Sequence, residues 1–285
     1  MLGHKLAQVL GKEHDVSALC RMSAADFAGF EILPAEKVYG NIDVRDFDAV
    51  RNVIVRSESE VVINAVGVVK QSAAAAYILD TVELNTLLPQ KLALTASELG
   101  IRLISISTDC VFDGAKGNYT ETDIPNALDL YGQSKHWGEI AGANCLTIRT
   151  SIIGRELKTN HGLIEWFLSK NGGSVKGFTK AVFSGFPTLV LADIINRYII
   201  NDKELSGVYH ISSPPINKYD LLKLVKDAFD LDIEISPSEE LKIDRSLNSD
   251  SFAAITGFRS ATWPEMIEKM AADKTPYNKW KRSGH

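Results

Sequence analysis

The strongest indication of the fold is the stretch Ile101-Arg-Leu-Ile-Ser-Ile-Ser107, which runs directly into Thr108-Asp-Cys-Val-Phe-Asp-Gly114. The first seven residues are mostly apolar and are typical of a buried strand. Polar side chains that follow such a strand lie at the carboxyl edge of a parallel sheet, where ligands bind. Thr108 and Asp109 are therefore candidate site residues, although such a pair also occurs in simple turns and helix caps.

Similar strand-like runs lie on both sides of this stretch and alternate with segments of helical spacing. This alternation predicts a parallel sheet flanked by helices. The other predicted strands lie within residues 16–19, 37–44, 61–66, 146–150 and 207–211, and the predicted helices span 2–10, 46–56, 73–99, 189–200, 219–229 and 263–272.

Composition and charge exclude several classes of protein. The 285 residues carry 31 Lys and Arg against 36 Asp and Glu, and 45% are hydrophobic, which is typical of a globular protein with one large domain or two smaller ones. The absence of a long basic stripe argues against nucleic-acid binding, and the cluster Lys279-Trp-Lys-Arg282 is expected to be a solvated end. No apolar run has the length of a membrane span.

Three scattered cysteines, Cys20, Cys110 and Cys145, predict neither a disulfide framework nor a metal site. No secretory signal is recognised at the start of the sequence. We therefore expect a cytoplasmic location.

The segment Tyr131-Gly-Gln-Ser-Lys135 carries the clearest chemical signal. Residues four apart share one face of a helix, so the phenol and the ammonium would point into the same space. A neighbouring ammonium is expected to lower the pKa of the phenol, which could then protonate a carbonyl oxygen while hydride reaches the carbon. An ordinary surface pair is the alternative from spacing alone. Together with Thr108, the two residues indicate carbonyl reduction.

The order of these and other motifs resembles the extended short-chain dehydrogenases/reductases, and within them the dTDP-4-dehydrorhamnose reductase branch. The resemblance extends over nearly the whole chain. It rests on residues 40–44, 63–67, 85–89, 107–114, 131–135, 148–151, 184–188 and 207–210.

This resemblance implies an α/β fold: a Rossmann-like doubly wound parallel sheet with a smaller C-terminal substrate-binding lobe. Residues 1–152 plus 188–212 would form the NADP-binding domain, and 153–187 plus 213–285 the lobe. The family opens with a strand and G-x-x-G-x-x-G, whereas here Gly3 matches only the third glycine. The first strand is therefore expected to be missing from the given sequence. We expect that the sequence starts at an internal Met of a longer protein; a compromised cofactor binder is the alternative.

The resemblance also assigns roles. Tyr131 would donate the proton. Lys135 would adjust the pKa of the Tyr131 phenol and hold the nicotinamide ribose, and Thr108 would orient the substrate carbonyl. The implied cofactor-binding residues are Gly3, Asp43, Val44, Ala65, Val66, Gly67, Asn85, Tyr131, Lys135, Thr150 and Ser151, and the implied substrate-binding residues are Thr108, Asp109, Cys110 and Arg245.

Arg21 bears on the choice of cofactor. NAD-preferring sites place an acid at the end of the second strand, whereas a cation suits the 2′-phosphate of NADP. Because Arg21 stands there without an acid, the sequence favours NADP(H) over NAD(H); a solvent-facing loop arginine is the alternative. Cys110 and Ile152 replace aromatic residues usual in the reductase branch, and Cys110 is expected to be a packed, inert thiol.

The function implied is NADPH-dependent reduction of the 4-keto group of a nucleotide-activated 6-deoxyhexose, for polysaccharide precursor synthesis. A homodimer without a metal is expected. Two alternatives stay open: a non-catalytic NADP-binding regulatory subunit resembling the β subunit of methionine adenosyltransferase, and a nucleotide-sugar epimerase on the same scaffold.

Overall fold

A computed structural model describes residues 1–68 and 77–282. The helices are α1 (Leu2–Leu10), α2 (Ala24–Ala28), α3 (Phe47–Arg56), α4 (Ile78–Val82), α5 (Leu88–Leu99), α6 (Leu130–Trp137), α7 (Leu163–Leu168), α8 (Thr188–Tyr198), α9 (Lys218–Ala228), α10 (Asp250–Thr256), α11 (Trp263–Ala271) and α12 (Tyr277–Arg282). Within these described ranges, no helix has both the length and the apolar character needed to cross a membrane.

The strands are short. They are β1 (Ala18–Leu19), β2 (Val38–Tyr39), β3 (Val61–Asn64), β4 (Arg102–Ile106), β5 (Cys145–Arg149), β6 (Ile152–Ile153), β7 (Ser174–Phe178), β8 (Ala181–Phe183), β9 (Phe186–Pro187), β10 (Gly207–His210), β11 (Ile216–Asn217), β12 (Glu234–Ser238) and β13 (Ile243–Asp244).

The central sheet has the strand order β10-β5-β4-β3, and every neighbouring pair is parallel. Ile104 of β4 lies opposite Ile63 on one side and Leu146 on the other. Strands β1 and β2 form a separate parallel pair, with Ala18 opposite Val38. The predicted parallel α/β fold class is confirmed.

Two boundaries differ from the sequence prediction for local reasons. The strand predicted over 61–66 ends at Asn64, whose side-chain Oδ1 accepts a hydrogen bond from the Val66 backbone N–H at 3.1 Å and so turns the chain. Of the helix predicted over 73–99, residues 73–76 lie outside the described residues. The remainder consists of α4, a π-helical turn at Glu83–Leu87, and α5.

One hydrophobic core joins the two predicted lobes. It contains Ile104 and Leu146 from the central sheet together with Leu191 of α8, Leu221 of α9 and Trp263 of α11. Apolar side chains at helical spacing on α8, α9 and α11 bury the inner face of each helix. The C-terminal segments therefore pack on the same core as the sheet.

The expectation of a solvated C-terminal end is wrong for α12. Trp280 is only 3% exposed and packs edge-on against Phe30, with ring centroids 5.0 Å apart. Lys281 forms an ion pair with Glu165 at 2.6 Å. Apolar contact across a sequence distance of about 250 residues thus overrides the local charge pattern, and this contact is invisible in a short window of sequence.

Candidate active site

The candidate site begins where β4 ends. Thr108 caps a 3-10 turn at Asp109–Val111: its Oγ1 accepts a hydrogen bond from the Cys110 backbone N–H at 3.1 Å. The same hydroxyl donates to the Asp109 carboxylate at 3.1 Å. The helix-cap interpretation and the site interpretation of this pair are therefore compatible, since the cap fixes the hydroxyl at the edge of the sheet.

Helix α6 carries Tyr131 and Lys135 to the same edge. Its N-terminus is capped by Asp129, which accepts a hydrogen bond from the Gly132 backbone N–H at 2.9 Å. A Cβ atom at Gly132 would overlap the carbonyl oxygen of Cys110. The glycine beside Tyr131 therefore lets α6 approach the 3-10 turn, a role that the sequence analysis did not assign.

The environment of Tyr131 differs from the expectation. Burial raises the pKa of its phenol above the ordinary value, Cys110 and Asp109 raise it further, and hydrogen bonding to Thr108 only partly offsets this. The expectation that Lys135 lowers this pKa is wrong, because the desolvation of the phenolate is the larger effect. Tyr131 therefore holds its proton at neutral pH and is in the form of a proton donor.

Lys135 lies buried beneath the site, and its Nζ donates a hydrogen bond to the Ile106 carbonyl oxygen at 2.7 Å. Burial lowers its pKa to about 8, against an opposing electrostatic contribution from Glu139. At neutral pH the group is still mostly an ammonium. A Cβ atom at Gly67 would lie 3.7 Å from this Nζ, so Lys135 reaches the segment that follows β3.

Asn85 supports that segment from behind. It lies in the π-helical turn, a feature often found at functional sites, and is fully buried. Its Oδ1 accepts from the Val68 backbone N–H at 2.9 Å, and its Nδ2 donates to the Val68 carbonyl at 3.3 Å and to Ser134 Oγ at 3.2 Å. Asn85, one of the implied cofactor-binding residues, thus joins the end of this segment to α6 through three hydrogen bonds.

The residues after β3 are open to solvent. Ala65, Val66 and Gly67 are exposed at the carboxyl edge of the sheet. A Cβ atom at Gly67 would lie 3.0 Å from Asn85 Oδ1 and 3.7 Å from Lys135 Nζ, so the bare backbone of Gly67 lies next to both side chains. An ammonium beside exposed backbone can donate hydrogen bonds to the ribose hydroxyls of a dinucleotide.

Thr150 and Ser151 follow β5 on the opposite side of β4. The Asp109 backbone N–H donates to the Thr150 carbonyl at 3.1 Å, and the Phe186 backbone N–H donates to the Ser151 carbonyl at 2.9 Å. The ends of β4 and β5 are therefore tied together, which places both implied cofactor residues beside the 3-10 turn.

Asp43 and Val44, two of the implied cofactor-binding residues, lie near the ends of β1 and β2. Asp43 is paired with Arg45 at 2.5 Å, and hydrogen bonds from Arg45 lower the pKa of Asp43 to about 2, with a small contribution from Arg21. Val44 lies between them and is partly buried. Arg45 is a second cation that the sequence analysis did not single out. Gly3, in the first turn of α1, is exposed and has open space above it.

Asp109, Cys110 and Arg245, which the resemblance implies as substrate-binding residues, interact electrostatically with one another and with Lys218. Arg245 Nε donates to the Phe112 carbonyl at 2.8 Å. Lys218, the first residue of α9, interacts electrostatically with Asp109, Cys110 and Arg245. No local motif marks Lys218, because it joins the cluster only through packing of the C-terminal segments.

The sequence also makes predictions about Cys110 and about possible metal ligands. Burial raises the pKa of the Cys110 thiol to about 12, which agrees with an inert cysteine. Across residues 1–68 and 77–282, His, Cys, Asp and Glu side chains form no group of three or more that could hold a metal ion.

The sequence of the chain is similar to those of known proteins. The chain is 28% identical over 212 residues to dTDP-4-dehydrorhamnose reductase of Aggregatibacter actinomycetemcomitans, 71% of each chain. It is 26% identical over 265 residues to methionine adenosyltransferase 2 subunit beta of Mus musculus, 82% of this chain and 79% of that protein.

A solved structure shares the fold. The dTDP-4-dehydrorhamnose reductase of Bacillus anthracis in complex with NADP superposes with a TM-score of 0.72 at 18% identity, covering 90% of this chain and 99% of that one. The sequence profile of the RmlD substrate binding domain matches residues 1–275. The chain belongs to the RmlD substrate binding domain family.

Proposed function

We propose that this protein uses NADPH to reduce the 4-keto group of a nucleotide-activated 6-deoxyhexose for polysaccharide precursor synthesis. The observation that carries the proposal is the convergence of Thr108, Tyr131 and Lys135 at the carboxyl end of β4. Similarity to dTDP-4-dehydrorhamnose reductases supports the choice of substrate class.

The residues of the site divide the work of reduction. A nicotinamide cofactor, when bound, would supply the hydride. Tyr131, kept protonated by burial, donates its proton to the carbonyl oxygen. Thr108 turns its hydroxyl from Asp109 to the same oxygen and orients it. The Lys135 ammonium holds the ribose and stabilises the phenolate that remains on Tyr131.

The substrate would enter from the side of Asp109. This buried carboxylate can accept hydrogen bonds from sugar hydroxyls, while Arg245 and Lys218 can pair with the diphosphate of the nucleotide. We propose that residues 1–152 plus 188–212 form the cofactor-binding domain, whose sheet edge also presents Asp109 to the substrate, and that residues 153–187 plus 213–285 form the substrate-binding lobe, which supplies Arg245 and Lys218. Homodimer formation and a cytoplasmic location stay predictions.

Replacing Tyr131 by Phe is the decisive test. Turnover of a dTDP-4-keto-6-deoxyhexose with NADPH should fall at least about 100-fold, because phenylalanine has no proton to donate to the carbonyl oxygen. The Tm and NADPH binding should be unchanged, and Tyr198→Phe at the end of α8, near the edge of the sheet opposite the site, is the matched control. Full turnover by Tyr131→Phe would refute the assignment, and C4 inversion by the wild type without net NADPH consumption would indicate the epimerase instead.

We further propose that NADP(H) is preferred over NAD(H), because Arg21 lies two residues after the end of β1, where its guanidinium can pair with a 2′-phosphate, whereas the nearby Arg45 is already paired with Asp43. Arg21→Ala should weaken NADPH binding about tenfold, the loss of one charge-assisted hydrogen bond, and leave NADH binding unchanged. Arg51→Ala, which removes an exposed arginine from α3, serves as the control in the same fluorescence titration. Equal losses for both cofactors would contradict the preference.

A second candidate is a regulatory subunit, and the similarity to methionine adenosyltransferase 2 subunit beta over 82% of this chain favours it. Under this alternative, the protein would copurify stoichiometrically with the adenosyltransferase of its host and change its rate. Ketoreductase turnover would be absent even from the wild type. Turnover without such a complex would exclude this alternative.

A further inference from the structure

Two polar contacts join α6 and the chain just after it to the end of β4. Lys135 Nζ donates to the carbonyl of Ile106 at 2.7 Å, and Ser107 Oγ donates to Glu139 Oε1 at 2.7 Å. Ile106 and Ser107, which are adjacent in the chain, thus bind Lys135 and Glu139, which are four residues apart. The position of the Lys135 ammonium and that of the Glu139 carboxylate are set by the same piece of backbone.

Arg149 of β5 fixes the Glu139 carboxylate. Its Nε donates to Oε1 at 2.8 Å and its Nη2 to Oε2 at 2.7 Å, while His136 Nδ1 lies 2.9 Å from Oε2. Both side chains of the Glu139–Arg149 pair are only 5% exposed. A bidentate pair in such surroundings is short, oriented and little screened by solvent.

The guanidinium is itself held from the other side. Arg149 Nη1 donates to His210 Nε2 at 3.2 Å, and His210 Nδ1 donates to the Tyr119 carbonyl at 3.0 Å. The guanidinium also lies over the ring of Phe112, 5.3 Å from its centroid. Burial lowers the pKa of His210, which agrees with a neutral imidazole that donates through one nitrogen and accepts through the other.

We propose that Glu139 is a positioning residue that holds the Lys135 ammonium in place and in its charged form, a role that rests on the proposed function of Lys135. Glu139 is the carboxylate that favours the charged amine against the cost of burial. Among residues 1–68 and 77–282, the titratable and charged groups nearest the pair are Tyr131 and His136 on α6, Arg149 on β5, His210 on β10 and Glu121 in the loop before α6.

The test is a direct titration of Lys135 in the full chain, without cofactor or substrate. Its reactivity toward acetic anhydride is followed against pH by mass spectrometry. The wild type should titrate near pH 8. Glu139→Gln should lower this pKa by about half a unit or more, since the favourable carboxylate is lost. Glu139→Asp, which keeps the charge, should restore most of the shift.

A double variant guards against misfolding. Glu139→Gln combined with Arg149→Met removes both charges of the buried pair, so no unpaired guanidinium remains. It should lower the pKa of Lys135 as the single variant does. Arg149→Met alone retains the carboxylate, so Lys135 should titrate at or above the wild-type value.

Glu165→Gln is the matched control. Glu165 is also a buried carboxylate, 4% exposed, and is paired with Arg155 at 2.6 Å. Its loss should lower the Tm without moving the titration of Lys135. An unchanged Lys135 pKa in both Glu139→Gln variants would reduce Glu139 to a structural role and overturn the proposal. Absent ketoreductase turnover in the wild type would refute the proposed function alone, because the titration needs no substrate.

Discussion

Two arginine–carboxylate pairs show how differently the two parts of the molecule are built. Arg149 and Glu139, beside the candidate site, meet at 2.7 Å with both side chains 5% exposed. Arg45 and Asp43, near the ends of β1 and β2, meet at 2.5 Å with side chains 51% and 37% exposed. The contacts are nearly the same length, but solvent screens one pair and not the other. Burial therefore determines how much stability is lost when one partner of a pair is removed.

Breaking the two pairs in the same way should give the largest contrast. Arg149→Met leaves a buried carboxylate without its partner and should lower the free energy of unfolding by about 3–5 kcal/mol. Arg45→Met should leave the Tm unchanged within error, since solvent replaces the guanidinium. Thermal and urea unfolding of both variants measure the difference. Similar losses in the two variants would show that burial does not separate the two regions.

Two glycines extend the comparison to backbone packing. A Cβ atom at Gly138, just after α6, would overlap the carbonyl oxygen of Asn85, so Gly138→Ala should cost about 1–3 kcal/mol through forced separation of the helices. Gly3→Ala lies in open space on α1 and should be neutral or stabilise by up to about 1 kcal/mol.

Urea unfolding of both alanine variants tests this contrast, and turnover provides a second readout. Gly138→Ala should also reduce turnover, because Asn85 supports the segment beside Lys135. A Gly138→Ala variant as stable as the wild type would mean that α6 can move without cost.

A smaller effect should appear in the pH dependence of the site. Because the pKa of Lys135 is about 8, turnover should fall up to tenfold per unit as pH rises above 8 and the ammonium is lost. The stability contribution of the same group has the opposite sign. Between the folded value and the ordinary value of 10.5, the unfolded chain binds more protons, so raising the pH there favours folding.

A pH profile of kcat alongside the Tm at each pH separates the two effects. Turnover that still rises above pH 9 would show that the neutral amine is the active form. Asp43, whose pKa is lowered to about 2 by Arg45, is ionised at every pH above 8 and should therefore change neither turnover nor the Tm in this range.

Much of the fold and the positions of Thr108, Tyr131 and Lys135 could be predicted because the signals are local. Alternating apolar segments indicated the parallel sheet, and the strand end at Ser107 and Thr108 marked its carboxyl edge. The four-residue spacing of Tyr131 and Lys135 put both on α6. Each of these inferences uses residues within one element, where the periods of helices and strands act directly.

The remaining features depend on residues that are far apart in the chain. Lys218 interacts electrostatically with Asp109, Arg149 hydrogen-bonds with His210, and Trp280 packs against Phe30. None of these contacts has a local pattern. The same holds for pKa values: spacing predicted a lowered value for Tyr131, whereas burial raised it.

The amino-acid pattern alone therefore specifies which elements form and which side chains stand at the edge of the sheet, since short-range periodicity and turn chemistry are written in neighbouring residues. Packing decides the charge states of Tyr131 and Lys135. It also decides the contact of Glu139 with Ser107 and the presence of Lys218 beside Asp109. The physical reason is that desolvation and Coulomb interactions depend on what surrounds a group in space, and distant segments of the chain supply those surroundings.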